Sequence, residues 1–181
     1  MTAREQDEYS SLRATIRERG TARVWIFVVG FLGWASLFVA TAALTPTPLA
    51  TLTPLVALAA TFEAVFALHI GVERIGRYLQ VFHETSGWEH VAMSFGRPAG
   101  TATLDPLFAV PFVLATAINL IPATLVSPTR EELIFAGGAH ALFVLRIIRA
   151  RTLAARQRAI ERARFETLKA EAAPPSRNTA S

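Results

Sequence analysis

The sequence predicts an all-α membrane protein, a bundle of four transmembrane helices, and two observations predict it. Of the 181 residues, 52% are hydrophobic and 18% are charged, which is more apolar than an ordinary soluble domain. The apolar residues also form long blocks with the charges between them, instead of being spaced along amphipathic helices. The bundle is expected to carry a short N-terminal interfacial helix and a basic cytoplasmic C-terminal helix.

The N-terminal segment, residues 1–23, is predicted to be a polar helix on the inner membrane surface. Thr2 and Glu5 have the spacing of a capping box, which starts a helix. Tyr9 and Ile16 fall on one face of that helix. A partly frayed tail that only carries basic residues is the alternative for this segment.

The membrane domain, residues 24–150, contains four apolar blocks. Each is about 20 residues long, enough to cross roughly 30 Å of hydrocarbon at about 1.5 Å per residue. The fourth is the weakest, because its apolar run ends at Arg146. A capping box at Thr129 and Glu132 starts the helix. The long side chains of Arg146 and Arg149 can reach the membrane surface, so the span is still expected to cross. The predicted spans are 24–44, 49–72, 107–126 and 130–150.

Basic residues set the predicted orientation, since lysine and arginine accumulate on the cytoplasmic side of a membrane. Four crossings leave 17 of the 18 basic residues on one side, with Arg130 as the exception. Both termini and the loop 73–106 are therefore expected in the cytoplasm, near anionic lipid head groups. One lysine against 17 arginines, with abundant alanine, is typical of a GC-rich genome and favours a bacterial inner membrane. The charge needs no nucleic acid to explain it.

The C-terminal part is predicted as a basic cytoplasmic helix over residues 151–173, followed by a disordered tail, 174–181. Pro174 and Pro175 end the helix. A basic helix of this kind can lie on anionic lipid, bundle with copies of itself or contact a partner protein, and its apolar stripe is too thin to choose among them.

One carboxylate, Glu63, stands in the middle of the second span. It lies 11 residues before Arg74, a depth of roughly 16 Å. Asn119 and His140 lie at similar depths on the third and fourth spans, so the three are candidates for one proton or ion site. In the alternative interpretation, a protonated Glu63 bonds Asn119 or His140 and only fixes the packing.

The inner end of the second span carries Glu73, Arg74 and Arg77. These residues could gate an inner mouth, and the alternative is an ordinary solvated helix end in which Glu73 pairs with Arg77.

Metal and cofactor chemistry has little support in the sequence. The inner loop holds a weak cluster of possible metal ligands, but its spacing matches no zinc helix. His69 and His83 are 14 residues apart, as in haem-binding helices, yet a second histidine pair is missing. No metal or cofactor is therefore expected. The weak metal candidates are His83, Glu84, Glu89 and His90.

Three functions compete for this chain. The first is a homo-oligomeric channel or transporter for protons, cations or a small solute, with Glu63 as the coupling site. The second is an accessory or assembly subunit of a larger membrane complex. The third is a membrane enzyme using the inner-loop histidines, although enzymatic activity is not the expectation because no catalytic motif is found.

Overall fold

The protein is described by a computed structural model that covers residues 2–45, 47–83, 91 and 106–172. The described residues form four α-helices and no strand, which confirms the all-α fold. A short 3₁₀ turn, Pro48–Thr51, leads into the second helix. The helices are α1 (Ala3–Leu44), α2 (Leu52–Phe82), α3 (Pro106–Leu125) and α4 (Arg130–Ala172).

Three helical segments are long and apolar enough to cross a membrane: α1, α4, and α2 together with its 3₁₀ turn. This supports a multi-pass membrane protein. The third apolar block is the shorter one, with Ala109–Leu125 as its described apolar helix. The fourth block, which looked weakest in sequence, lies inside the 43-residue helix Arg130–Ala172. Its capping box is present, since the Thr129 N–H donates to the Glu132 carboxylate at 3.0 Å.

Helix α1 is continuous through the predicted junction between residues 23 and 24. Its start is the expected capping box, in which the Thr2 N–H donates to Glu5 at 2.7 Å and the Glu5 N–H donates to Thr2 Oγ1 at 3.3 Å. The N-terminal segment and the first span are therefore one helix, and α4 likewise runs unbroken past residue 150.

Helix α1 packs antiparallel against α2 along most of its length. Near the middle, a Cβ at Gly30 would stand 2.2 Å from the Thr61 side chain, so only glycine fits this contact. Near the ends, the Tyr78 hydroxyl donates to Glu8 at 2.7 Å. Such close approach over small residues is typical of membrane helix pairs.

Helix α4 runs parallel to α2. Glu63 contacts Arg146 near the middle, and the Lys169 ammonium donates to the Val81 carbonyl near the ends. Helix α3 lies across from α1 and runs antiparallel to α4, so successive helices alternate in direction.

Aromatic rings fill the centre of the bundle. Phe62 meets Phe112 edge to face at 5.2 Å and Phe143 at 5.9 Å between ring centroids. Leu58 and Ile147 are buried beside them. Edge-to-face packing of this kind adds stability beyond the apolar area that it buries. The bundle interior is therefore closed at this level by side chains on three helices.

Candidate functional site

The three residues of the predicted ion site lie in two separate places. Asn119 and His140 are together, at the end of the bundle where α1 ends and α2 begins; we call this the turn end. Glu63 follows Thr51 by 12 residues along the chain, which is about 18 Å at the rise of a helix. The structure therefore brings two of the three residues together and leaves Glu63 apart.

Asn119 is the centre of a buried hydrogen-bond network at the turn end. Its Nδ2 donates to the Thr51 carbonyl at 2.7 Å and approaches His140 Nε2 at 2.9 Å. Its Oδ1 accepts from the Trp34 indole N–H at 3.3 Å. On the other side of the ring, His140 Nδ1 lies 2.7 Å from the Ala136 carbonyl. We call this set the Asn119 network.

The partners assign the protons in the Asn119 network. A carbonyl only accepts, so His140 Nδ1 carries a hydrogen, and Nε2 is then free to accept from the Asn119 amide. Every N–H and ring nitrogen in the set thus has a partner with a neutral imidazole. Because the members come from α1, the 3₁₀ turn, α3 and α4, the geometry fits a packing role better than a vacant ion site.

Glu63 forms an ion pair on the outer surface of the bundle. Its Oε2 lies 2.7 Å from Arg146 Nη2, and the side chains are 48% and 34% exposed, respectively. The Arg146 guanidinium also lies over the rings of Phe62 and Phe66, at 5.7 and 5.2 Å from their centroids. Its buried Nη1 has no hydrogen-bond partner among the described residues. Attraction to the ring faces therefore helps to hold Arg146 beside Glu63.

The three inner-mouth candidates take part in a second ion-pair network, which joins α2 to α4. Arg74 Nη2 lies 2.7 Å from Glu161 Oε1, and Arg158 Nη2 lies 2.6 Å from Glu73 Oε1. Arg77, only 3% exposed, contacts Glu161 and also Glu73 at 3.5 Å. Each of the three thus pairs with a residue of α4. The sequence did not predict α4 as the neighbour of this part of α2.

Glu161 is the most enclosed carboxylate of this second network, and it lies well past the apolar part of α4. Burial alone would raise its pKa. Hydrogen bonds from Arg74, Arg77 and Gln157 oppose that effect and hold the pKa of Glu161 below its usual value. The hydrogen bonds therefore favour the charged form of the carboxylate when the two helices are docked.

Helix α1 joins the same network through His69. Arg23 Nη1 lies 3.2 Å from His69 Nδ1. Arginine can only donate, so Nδ1 accepts, and the hydrogen on Nε2 faces Glu73 Oε1 at 3.5 Å. Three helices are therefore tied together at the end of the apolar segments that lies farther from the turn between α1 and α2.

From this network onward, the three helices continue side by side, away from the apolar segments. We call residues 3–23, 73–82 and 151–172 the stalk. Near its far end, the His83 ring packs between Tyr9 and Tyr78, at 6.0 and 5.7 Å between centroids. Its Nε2 lies 3.8 Å from Glu8 Oε1.

The predicted weak metal cluster has only one described member. Glu84, Glu89 and His90 lie outside the described residues, and His83 is packed among aromatic rings. Among the residues that the structure covers, no group of three histidine, cysteine, aspartate or glutamate side chains could hold a metal ion.

One exposed face of α4 begins two residues before the stalk and continues along it. Its members recur at three- and four-residue spacing and span about 80° of the helix circumference. All are exposed, including the apolar Leu153 and Ile160. We call this face the basic stripe: Arg149, Leu153, Arg156, Ile160 and Arg164.

Comparison with protein-family models, with curated proteins and with solved structures finds no match for this chain. Its functional residues are therefore argued from geometry and chemistry alone.

The sequence reasoning missed the partners contributed by α4. Arg146 was expected to reach the membrane surface, and neither Arg158 nor Glu161 was singled out. One signal could have found them: acidic Glu63 and Glu73 on α2 are 10 residues apart, and basic Arg146 and Arg158 on α4 are 12 apart. Opposite charges at similar spacing are expected where two parallel helices pair.

Proposed function

We propose that this chain is an accessory subunit of a larger membrane complex, and that it binds an acidic protein partner through the basic stripe. The observation that carries the proposal is the stalk, a braced three-helix extension with an exposed basic and apolar face that forms no ion pair with another described residue. The alternating helix directions support four crossings with both termini on one side. The basic-residue distribution supports a cytoplasmic location for the stalk, in a bacterial inner membrane.

The stalk is built as a support. About 20 residues of each of α1 and α4 lie beyond the apolar segments, which is roughly 30 Å of helix. Contacts between helices recur along it, from Glu73 with Arg158, through Arg77 with Glu161, to Lys169 with Val81. Because α4 stays in contact with α2, this part of α4 projects from the bilayer instead of lying on its surface. The basic stripe is therefore available to a protein partner.

The basic stripe has the chemistry of a contact surface. Its arginines attract a negatively charged surface, and Arg is common at the centres of protein interfaces. Ile160 and Leu153 leave apolar area in water that a partner would cover. A neighbouring side of α4 is already used, since Ala150 and Ala154 are buried.

The test is the composition of the complex extracted gently from its native membrane, measured by native mass spectrometry. A foreign subunit is expected with the unchanged chain and is expected to be lost in the Arg156→Glu, Ile160→Glu double variant. Arg162→Glu is the matched control for the Arg156→Glu part, because it makes the same charge change on another face of α4. Retention of the subunit by the double variant, or its absence from the unchanged complex, contradicts the proposal.

A second candidate is an ion or solute pathway between copies of the chain, with Glu63 as its coupling residue. It is favoured by the exposed position of the Glu63 and Arg146 pair in the apolar region. A path through the interior is disfavoured, because Phe62, Phe112 and Phe143 close it. Flux in liposomes that disappears in Glu63→Gln supports the pathway, whereas flux unchanged by that substitution rejects it.

An enzymatic role has the least support. His83 is enclosed by two tyrosine rings, and His90 lies outside the described residues. If the chain is an enzyme using these histidines, replacing both by alanine changes the metabolite or metal content of the membrane. No change in either rejects the idea.

A further inference from the structure

The exposed side of α2 carries the charge of Glu63 within an otherwise apolar surface. Exposed residues recur along this side at three- and four-residue spacing, from Val56 through Ala60 and Glu63 to Ala67. A charged side chain facing hydrocarbon is costly, and pairing it with Arg146 only reduces that cost. A protein surface that covers the pair would reduce it further.

Small side chains flank the charge. Ala60 and Ala67 are seven residues apart, two helical turns, and both are exposed. Alanines at this spacing let a second helix approach closely, which is how membrane helices associate without help from the hydrophobic effect. The face is therefore shaped for a helix and carries a charge pair at its centre.

We infer that this face, Ala60, Glu63, Ala67 and Arg146, binds the same face of a second copy of the chain. The two copies are related by a two-fold axis along the membrane normal. In the pair, Glu63 of each copy faces Arg146 of the other, so two carboxylates and two guanidinium groups form one closed set of four charges.

The charge pattern selects a second copy over a foreign helix. Glu63 and Arg146 lie at the same depth, since they are in contact at 2.7 Å. A two-fold axis along the normal keeps every residue at its own depth, so each charge of one copy meets its opposite charge in the other at the same level. A foreign helix would need an acid and a base placed independently at that depth.

The inference does not rest on the proposed partner of the stalk, because the two surfaces share no residue. A complex without a foreign subunit would reject the accessory role and leave the paired copies intact. Failure of the tests below would reject the paired copies and leave the accessory role standing.

The first test uses introduced cysteines, and the natural chain contains none. Ala67→Cys or Ala60→Cys in native membranes should give a covalent dimer with a short thiol crosslinker. Ala117→Cys is the control, since Ala117 is an exposed alanine on α3. At least about tenfold more dimer from the α2 positions than from the control is expected, given how steeply crosslinking depends on Cα separation. Equal yields overturn the inference.

The second test separates pairing between copies from pairing within one copy. Copies with Glu63→Arg and copies with Arg146→Glu carry different tags and are expressed together. Each loses its internal ion pair, but the two are complementary to one another. Mixed dimers should then exceed the roughly half that random pairing gives. A random mixture, or dimerisation unchanged in each variant alone, rejects the exchange of charges.

Ala67→Leu covers the case in which charge variants fail to insert. The larger side chain blocks the approach of the second helix and leaves the ion pair in place, so the dimer is expected to be lost while the monomer folds normally. Ala117→Leu, the same change on α3, should leave the dimer unchanged. Persistence of the dimer in Ala67→Leu overturns the inference.

Discussion

The Asn119 network and the Glu63 pair are both polar groups within an apolar bundle, and they are completed in different ways. Asn119 is buried, and each of its amide hydrogens and its oxygen meets a partner from a different element. Among the described residues Glu63 has one ion-pair partner, and its side chain remains about half exposed. The first site is complete within one copy of the chain, whereas the second leaves a charged surface.

This difference shows that the role of a polar residue in a membrane protein depends on whether its hydrogen bonds and charges are satisfied within the chain. A buried polar group with all its bonds made fixes the arrangement of the helices around it. A charged group that stays exposed in the apolar region needs something outside the chain. Depth alone, which is similar for these residues in the sequence, does not separate the two roles.

The largest expected effect is from Asn119→Leu, which removes the centre of the network. Thr51, Trp34 and His140 then each lose a hydrogen-bond partner in a buried place. We expect a loss of about 2–4 kcal/mol in the free energy of unfolding, since buried unpaired polar groups cost about 1–3 kcal/mol each. Denaturant titration of the purified protein in detergent measures it.

The control for this substitution is Ser36→Ala. The Ser36 hydroxyl donates only to Leu32 of its own helix, at 2.9 Å, and is exposed, so its loss should change stability little. If Asn119→Leu is as stable as this control, the network does not hold the helices together.

Gly30→Ala is expected to have the next largest effect, because it disturbs the network from a distance. A Cβ at Gly30 meets Thr61, so α1 must move away from α2 one turn before Trp34. Overpacking of this kind costs about 1–3 kcal/mol. The indole fluorescence of Trp34, in a variant without the other two tryptophans, should report a more polar environment.

Gly33→Ala is the matched control on the same helix. A Cβ there meets nothing within 4 Å, and alanine favours helix more than glycine does. Its stability should therefore equal or exceed that of the unchanged protein. A similar loss of stability in both variants would mean that the Thr61 contact does not decide the result.

The sequence predicted the elements better than their partners. The long apolar blocks predicted where the apolar helices lie, and the capping boxes at Thr2 and Thr129 correctly predicted the start of two helices. Depth also grouped Asn119 with His140, which are in contact, but it grouped Glu63 with them, which is not. These features are local or depend only on depth in the membrane, so they can be predicted from the amino-acid sequence.

The contacts that depend on helix rotation could not be predicted. Whether Glu63 turns toward Asn119 or toward Arg146 depends on which helices are neighbours and on their rotation, and the sequence fixes neither by spacing alone. To predict the Glu161 contacts, one must also know that α2 and α4 continue side by side in the stalk. The loops between the helices are compatible with several arrangements of the four helices, so their lengths do not select this one.

Lowering the pH is expected to have a smaller effect, a weaker docking of α2 and α4 in the stalk. The pKa of Glu161 is lower when it is docked, so docking favours its charged form. The stability contributed by Glu161 is therefore present above the ordinary pKa of a glutamate and is lost as the pH falls through the lowered value. Spin labels on Tyr78 and Arg162 should move apart in acid, and Glu161→Gln should remove the part of this response that Glu161 causes. A response that is unchanged in Glu161→Gln would place the titration elsewhere.

The smallest effect on the stability of a single copy is expected from Glu63→Gln, and this prediction sharpens the comparison most. Arg146 keeps its contacts with Phe62 and Phe66, and an exposed ion pair contributes about 0–1 kcal/mol. The free energy of unfolding in detergent should therefore change by less than about 1 kcal/mol, far below the effect of Asn119→Leu, while the fraction of dimer in native membranes falls. A large loss of stability without a change in the dimer would instead make Glu63 a packing residue like Asn119, because the two sites would then be completed in the same way, within one chain.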